Sequence, residues 1–240
     1  LAALLVLYLP CRWRLPAGAV LLAGYWGLLL TFGGADPYGL ANNAVRRVDL
    51  ALLGAAHLWN GFGLAFDPEG LLSTLPAVVS VVAGFEAARL VTVTGGRWRS
   101  VLYLALVGAA GVMLALLWQQ WLPINKALWT PSYVLYTSGI AWLTLAGLIL
   151  VLEIAGLRRL GRPLEVYGTN PLLVYILSIL LARTLWFIPV GEVSLYTWLY
   201  RQLLPLLSPV NASLAFALAH VVLFWLLSLA LYRRGIIIKL

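Results

Sequence analysis

The chain has 240 residues, of which 63% are hydrophobic and 10% are charged. A soluble domain would have roughly a quarter of its residues charged, because its surface must face water. The composition therefore excludes an ordinary soluble protein and predicts one that crosses a membrane several times. The net charge of +8 does not indicate a nucleic-acid partner, since the cations cluster in short connections between apolar segments, as the positive-inside rule predicts.

The apolar segments predict an all-α fold, a polytopic membrane helical bundle with about six complete transmembrane helices. The predicted spans are 15–32, 71–90, 101–117, 133–152, one that begins at 168–171, and 211–232. Residues 1–9 are too short to cross about 30 Å of hydrocarbon at about 1.5 Å per residue, so they are expected to end a further, partial helix. No linker or repeat is visible, so residues 1–240 are predicted to form a single bundle, the carboxyl-terminal part of a longer protein.

The connection 33–70 is the loop richest in polar side chains. Asn42 or Asn43 can cap a short helix within it, because apolar residues recur there at helical spacing. On that helix Arg46 and Asp49 are three residues apart and can form an ion pair. The segment is expected to lie on the surface of the membrane.

Three further residues of this loop are candidates for catalysis, namely His57, Asp67 and Glu69. His57 can act as a general base, since imidazole titrates near neutral pH, and a hydrogen-bonded loop histidine is the alternative. Asp67 and Glu69 lie on either side of Pro68 in a predicted rigid turn. At least one of these two carboxylates is expected to cap the span that follows, by accepting its free N–H groups.

A second polar segment, 118–134, separates two apolar spans and contains three tryptophans. Indole rings settle at membrane surfaces, so this segment is predicted to be a structured loop there. Asn125 and Lys126 are its candidate site residues. Lys126 is expected either to have a specific partner or to extend towards lipid phosphates or an acidic residue of a neighbouring loop.

The last part of the chain holds polar residues inside or next to apolar helices. Asn170 suits a helix N-cap, with Pro171 in the first turn. His220 lies near the middle of the last span, where it is either functional or hydrogen-bonded to another helix. The tail residues suited to contact the phosphates of a nucleotide-like ligand are Arg233, Arg234 and Lys239.

The distribution of cations predicts the orientation of the chain. Eleven Lys and Arg residues fall on the side of the carboxyl terminus and four on the other. The positive-inside rule therefore predicts a cytoplasmic carboxyl terminus. The loops 33–70 and 118–134 are then expected to share the non-cytoplasmic side.

Four sequence blocks occur together and in order: FDPEGLLSTL at 66–75, PINKALWTPSYV at 123–134, GTNPLLVY at 168–175 and LYRRGIIIKL at 231–240. Together they resemble the transmembrane acyltransferase family of heparan-α-glucosaminide N-acetyltransferase and its bacterial relatives. The resemblance implies an enzyme that moves an acetyl group from cytosolic acetyl-CoA to an amino sugar or glycan on the other side of the membrane.

The resemblance also implies roles for individual residues. Lys239, Arg233 and Arg234 would meet the phosphates of CoA. Asn125, Lys126 and Asn170 would line the passage or orient the acceptor. The family's reactive histidine lies ahead of the first residue of this chain, so His57 is not expected to inherit its role.

Several alternatives stay open at this point. A non-catalytic carrier or permease for an envelope sugar or lipid would use the same polar residues without acetyl-CoA. A purely structural subunit fits less well with a loop as polar as 33–70. No metal-binding motif occurs and no metal is expected. A bacterial inner membrane is favoured over an organelle membrane, and a homo-oligomer is one alternative for the assembly.

Overall fold

The computed structural model describes residue 4 and residues 8–238. Most of the predicted partial helix at 1–9 lies outside these residues. The chain divides into two compact units, Leu1–Gly156 and Leu157–Leu240. Each unit is described by itself, and the single bundle over 1–240 stays a prediction.

The first unit consists of long helices joined by a structured loop region. Its α-helices are α1 Cys11–Phe32, α2 Ala44–Leu53, α3 Thr74–Thr94, α4 Trp98–Trp118 and α5 Pro131–Leu148, the last continued by a π-helical turn, Ile149–Ile154. An antiparallel hairpin, β1 Trp59–Gly61 and β2 Leu64–Phe66, lies between two 3-10 turns, Ala55–His57 and Leu71–Ser73.

The second unit is also helical. A 3-10 turn, Arg158–Gly161, leads into α6 Arg162–Gly168, α7 Pro171–Phe187, a two-residue hairpin of β3 Pro189–Val190 and β4 Val193–Ser194, α8 Leu195–Arg201 and α9 Pro209–Arg233. Pro171 occupies the first turn of α7, where its missing N–H leaves no hydrogen bond unmade.

The helices confirm the polytopic membrane fold. Among the described residues five helices are long and apolar enough to cross a membrane, at 11–32, 71–94, 98–118, 131–154 and 209–233. A sixth span forms if the segment from Arg158 to Phe187, bent by 63° at its break, counts as one. Large apolar side chains such as Leu102, Leu106 and Met113 are exposed along α4, as expected when lipid is the solvent.

Helices α4 and α5 pack closely through glycine. A Cβ atom added to Gly139 would lie 2.7 Å from the carbonyl oxygen of Gly108, and one added to Gly108 would lie 2.9 Å from that of Gly139. Small residues let two backbones approach, and van der Waals packing then replaces the hydrophobic effect as the source of helix association in lipid.

Gly139→Leu is expected to destabilise the protein by about 1–3 kcal/mol, because its side chain has no space between the two helices. Gly147→Leu on the same helix is the matched control, since a Cβ there meets nothing within 4 Å. Thermal unfolding in detergent, followed by helical circular dichroism, measures both. Equal unfolding temperatures for the two variants would contradict this packing.

We call the end of the first unit that carries α2, the β1–β2 hairpin and the tryptophan-rich loop 119–130 the cap end. The Tyr25 hydroxyl of α1 donates to the carbonyl of Leu128 in that loop. The Trp129 indole Nε1–H donates to Ser80 Oγ of α3 over 3.1 Å. The loop is therefore tied to two membrane helices.

The opposite end of the first unit carries a compact ion-pair group. Glu86 Oε2 accepts from Arg89 Nε at 2.6 Å, and Glu86 Oε1 accepts from Arg14 at 2.8 Å. Glu86 and Arg89 are three residues apart and pair within α3, and Arg14 adds a bond from α1. Glu86 therefore joins α1 and α3 through its ion pair with Arg14.

Candidate functional site

Helix α2 begins as the sequence predicts. Asn43 is the N-cap, and its side-chain oxygen accepts the backbone N–H of Arg46 at 2.7 Å. Its amide group donates to the carbonyl of Gly39 at 2.8 Å. Asn43 thus fixes both the helix start and the turn before it.

The predicted ion pair between Arg46 and Asp49 is wrong. The Arg46 guanidinium instead donates to the carbonyls of Ala65 in β2 and Ala41, each at 2.8 Å. Asp49 is fully buried. The two side chains do not meet, because Arg46 holds the hairpin against α2 and Asp49 points into the protein.

Asp49 takes the capping role that the sequence assigned to Asp67 or Glu69. Asp49 Oδ1 accepts the N–H of Leu71 at 3.0 Å, where the span 71–94 begins. Asp49 Oδ2 has no partner among the described residues, and a Cβ at Gly70 would lie 2.3 Å from it. The carboxyl is therefore packed directly against the glycine of the Asp-Pro-Glu-Gly turn.

Burial raises the pKa of the Asp49 carboxyl above its usual range, the hydrogen bond from Leu71 opposes this shift, and the negative charge of Asp67 adds to it. The folded state then binds the proton more tightly than the unfolded state. The resulting stability is present below the unfolded pKa, about 3.9, and is lost as the pH rises from there through the raised folded pKa.

Asp49→Asn should remove this pH dependence, because the amide does not ionise. Relative to the variant, the unfolding free energy of the wild type should fall as the pH rises from about 4 upwards. Asp36→Asn, at an exposed acid of the same loop region, should follow the wild type. Denaturant unfolding of the three proteins across this pH range tests the expectation, and parallel curves for wild type and Asp49→Asn would refute it.

His57 ends the 3-10 turn after α2 and is exposed. Its Nδ1 lies 2.8 Å from the carbonyl oxygen of Leu53. A carbonyl only accepts, so Nδ1 carries the hydrogen and the neutral ring presents Nε2 as a free proton acceptor. This geometry is compatible with both hypotheses, that His57 is a hydrogen-bonded loop histidine and that it is a general base.

Asp67 and Glu69 form a local turn. Asp67 Oδ1 accepts the backbone N–H of Glu69 at 2.8 Å, and Glu69 is exposed. The predicted turn is confirmed. The capping of the following helix by either residue is not, because Asp49 supplies that carboxylate from a different part of the loop.

Asn125 and Lys126 lie in the tryptophan-rich loop but differ in their surroundings. Asn125 Oδ1 accepts the N–H of Leu128 at 3.2 Å, which makes Asn125 part of the loop's own framework. Lys126 is exposed, and within residues 8–238 its ammonium has no hydrogen bond or ion pair. No acidic residue of a neighbouring loop pairs with it there.

The predicted candidates are spread along α2. Leu128 belongs to the same buried cluster as Ala44 and Val45, at the start of α2. His57 follows the other end, about 14 Å further along the helix axis. The β1–β2 hairpin follows His57, and Arg46 of α2 holds it through the carbonyl of Ala65.

Both polar groups of the Asn170 side chain are hydrogen-bonded. It is fully buried, its Nδ2 donates to the carbonyl of Ile236 at 3.0 Å, and its Oδ1 accepts the N–H of Ile238 at 2.7 Å. It occupies the N-cap position of α7, as predicted, but its side chain makes no capping bond. The side-chain amide instead bonds the tail backbone through one donor and one acceptor, as a paired β-strand does.

Arg233 and Arg234 are exposed where α9 ends. Gly235, at φ +66°, terminates the helix in a Schellman motif, with Ile236 N–H donating to the carbonyl of Leu231 at 3.0 Å. Lys239 lies outside the described residues. The described tail is thus held in one conformation beside the two arginines.

His220 makes its bond within α9. Its Nδ1 lies 2.9 Å from the carbonyl of Phe216, one turn earlier, and its ring packs against Phe216 at 4.6 Å between centroids. The predicted alternative of a hydrogen bond to another helix is not found among the described residues. The ring belongs to an aromatic group that also includes Tyr196.

Asn170→Ala should free the tail, because the carbonyl of Ile236 and the N–H of Ile238 would lose their partner. A loss of about 1–3 kcal/mol is expected. Ser178→Ala, whose hydroxyl bonds only within α7, is the control. Limited trypsin digestion should cleave the tail fastest in Asn170→Ala, and equal rates would contradict the assignment.

A cavity of about 530 Å³ lies between α1, α3, α4 and α5 of the first unit. Its lining is almost entirely apolar and includes Leu22, Val82, Gly111 and Leu135. Arg14, Glu86 and Arg89 also border it. Such a lining is suited to hydrocarbon and not to a sugar.

Comparison with known proteins confirms the resemblance that the four sequence blocks predict. The chain is similar to heparan-alpha-glucosaminide N-acetyltransferase. It is 29% identical to the Homo sapiens protein over 163 residues, covering 60% of this chain and 24% of that protein. It is also 29% identical to the Mus musculus protein over 148 residues, covering 55% and 22%.

The chain spans about a quarter of the length of the curated relatives it matches. No protein-family model matches it. No group of three or more His, Cys, Asp or Glu side chains that could hold a metal ion occurs within the part of the chain that the structure describes.

Proposed function

We propose that this chain is part of a membrane acetyltransferase that moves an acetyl group from acetyl-CoA to an amino sugar or glycan. The observation that carries the proposal is the similarity to an N-acetyltransferase over 163 residues, in a chain whose helices are long enough to cross a membrane. The proposal has the tail on the cytoplasmic side and the cap end on the other, and the positive-inside rule applied to the cations supports it.

The reaction requires few parts. The amine nitrogen of the sugar attacks the thioester carbonyl carbon, a C–N bond forms, the C–S bond breaks, and the amine loses a proton as the CoA thiol is released. A base must take that proton and a donor must neutralise the developing oxyanion. Lys126 offers the donor, an exposed ammonium with no hydrogen bond or ion pair within residues 8–238. The resemblance implies that the base is the family's histidine, which His57 is not expected to replace.

The tail is suited to bind the second substrate, acetyl-CoA. Arg233 and Arg234 are exposed, and guanidinium groups bind phosphate through paired N–H donors. Asn170 holds the following segment. Lys239, four residues beyond Gly235, would add a third cation for the phosphates of CoA.

A sugar carrier fits the structure less well. A carrier needs polar groups along its path to replace the hydration of the sugar, whereas the cavity of the first unit is lined almost entirely by apolar side chains. The polar candidates Asn125 and Lys126 lie at the cap end and not in that cavity.

The test is acetyl transfer from acetyl-CoA to glucosamine by the purified protein in liposomes. Lys126→Met should lower kcat about a hundredfold, the effect of removing one oxyanion donor, with the fold retained. Arg47→Met, which removes another exposed cation of the cap end, should leave turnover unchanged. No transfer by the wild type would refute the function, and full turnover by Lys126→Met would remove Lys126 from the site.

A further inference from the structure

The tip of the β1–β2 hairpin presents two aromatic rings to solvent. Phe62 is 86% exposed and Trp59 is 57% exposed. Their ring centroids are 6.0 Å apart with planes at 85°. Phe66, which is buried, supports both, at 5.1 Å from Trp59 and 6.4 Å from Phe62.

This aromatic pair is built into the fold. Gly61 is buried under the Trp59 ring, and a Cβ at Gly61 would lie 2.0 Å from a ring carbon. Only glycine therefore allows the indole to lie over the strand. The Arg46 bond to the Ala65 carbonyl fixes the hairpin to α2. The rings are positioned before any ligand arrives.

The hairpin turn is strained at one of these rings. Phe62 has φ +56°, a left-handed conformation that is a genuine outlier for a bulky side chain. Such conformations cost of order 1–3 kcal/mol and cluster at binding sites. Trp129 of the tryptophan-rich loop, at φ +51°, is the other described non-glycine residue with positive φ, and it also lies at the cap end.

We propose that Trp59 and Phe62 form the platform that binds the amino sugar acceptor. This inference rests on the proposed function and adds the residues that hold its acceptor. An amino sugar combines a ring that packs on aromatic faces with an ammonium group, and cations bind over Trp and Phe faces within about 6 Å of the centroid. His57 lies two residues before Trp59 in the sequence, next to the strand that carries the indole.

The competing role for these rings is to anchor the cap end in the membrane interface, where tryptophan and other aromatic residues are common. The two roles differ in what the rings recognise. A sugar platform distinguishes an ammonium from its acetylated, neutral form, whereas an interfacial anchor responds to lipid and not to the sugar.

Binding of D-glucosamine and of N-acetylglucosamine to the purified protein in nanodiscs, measured by calorimetry without acetyl-CoA, tests the platform. The wild type should bind glucosamine more tightly than the acetylated sugar. Phe62→Gly and Trp59→Leu should weaken glucosamine binding about fivefold or more. Trp121→Leu, at another cap-end tryptophan that is 67% exposed, should not.

Phe62→Gly keeps the test independent of folding, because glycine adopts positive φ without strain and its unfolding temperature should not fall. In acetyl transfer the variants should raise the acceptor KM by the same factor and leave the KM for acetyl-CoA unchanged. Wild-type affinity in both variants, or variants that change only association with lipid vesicles, would overturn the platform.

The two proposals fail separately. If the wild type binds glucosamine through the rings but transfers no acetyl group, the platform stands and the proposed function falls. If the wild type transfers acetyl groups while both variants bind glucosamine normally, the function stands and the platform falls.

Discussion

Lipid offers the backbone no hydrogen-bond partners, so segments that cross a bilayer must satisfy their own N–H and C=O groups. In this chain that constraint assigns 11–32, 71–94, 98–118, 131–154 and 209–233 to helices. Irregular backbone is confined to the connections. Reactive polar side chains such as His57 and Lys126 therefore lie in the connections between helices. The conformation of each connection determines which groups these side chains can contact.

The cap end shows how such a connection becomes rigid without a large core. The side chains of Asn43 and Arg46 both bond to backbone groups. Asn43 bonds the preceding turn and the start of α2, and Arg46 bonds the hairpin. Asp49 does the same for Leu71. The Asn43 bonds are local, whereas the Arg46 and Asp49 bonds cross-link segments 19 and 22 residues apart and hold β2 and Leu71 against α2. The second unit uses the same principle, with one buried amide, Asn170, holding the tail.

Much of this could be predicted from the sequence, because the deciding interactions are local. Hydropathy located the spans, the Asn43 cap follows from its position before an amphipathic segment, and Glu86 with Arg89 follows from helical spacing. The roles of Asp49 and Asn170 could not be predicted in this way. Asp49 meets Leu71 across 22 residues and Asn170 meets Ile238 across 68, and only the fold brings those pairs together.

Helical spacing gives a wrong prediction where two residues on one helix bind different parts of the fold. Arg46 and Asp49 have the spacing of an ion pair, but Asp49 faces the interior and Arg46 faces the hairpin. The hairpin tip also has a sequence signal, a Trp-Asn-Gly-Phe-Gly run with glycines on both sides of Phe62. Glycine next to an exposed aromatic residue indicates a tight turn that presents the ring.

Acyl transfer from a thioester also requires that water be kept from the carbonyl carbon. His57, Lys126, Trp59 and Phe62 are all exposed among the described residues, so the cap end alone does not exclude water from any of them. A sugar seated on the Trp59 and Phe62 rings would cover their apolar faces and displace water from them. Acetyl transfer would then be favoured over hydrolysis when the acceptor is bound.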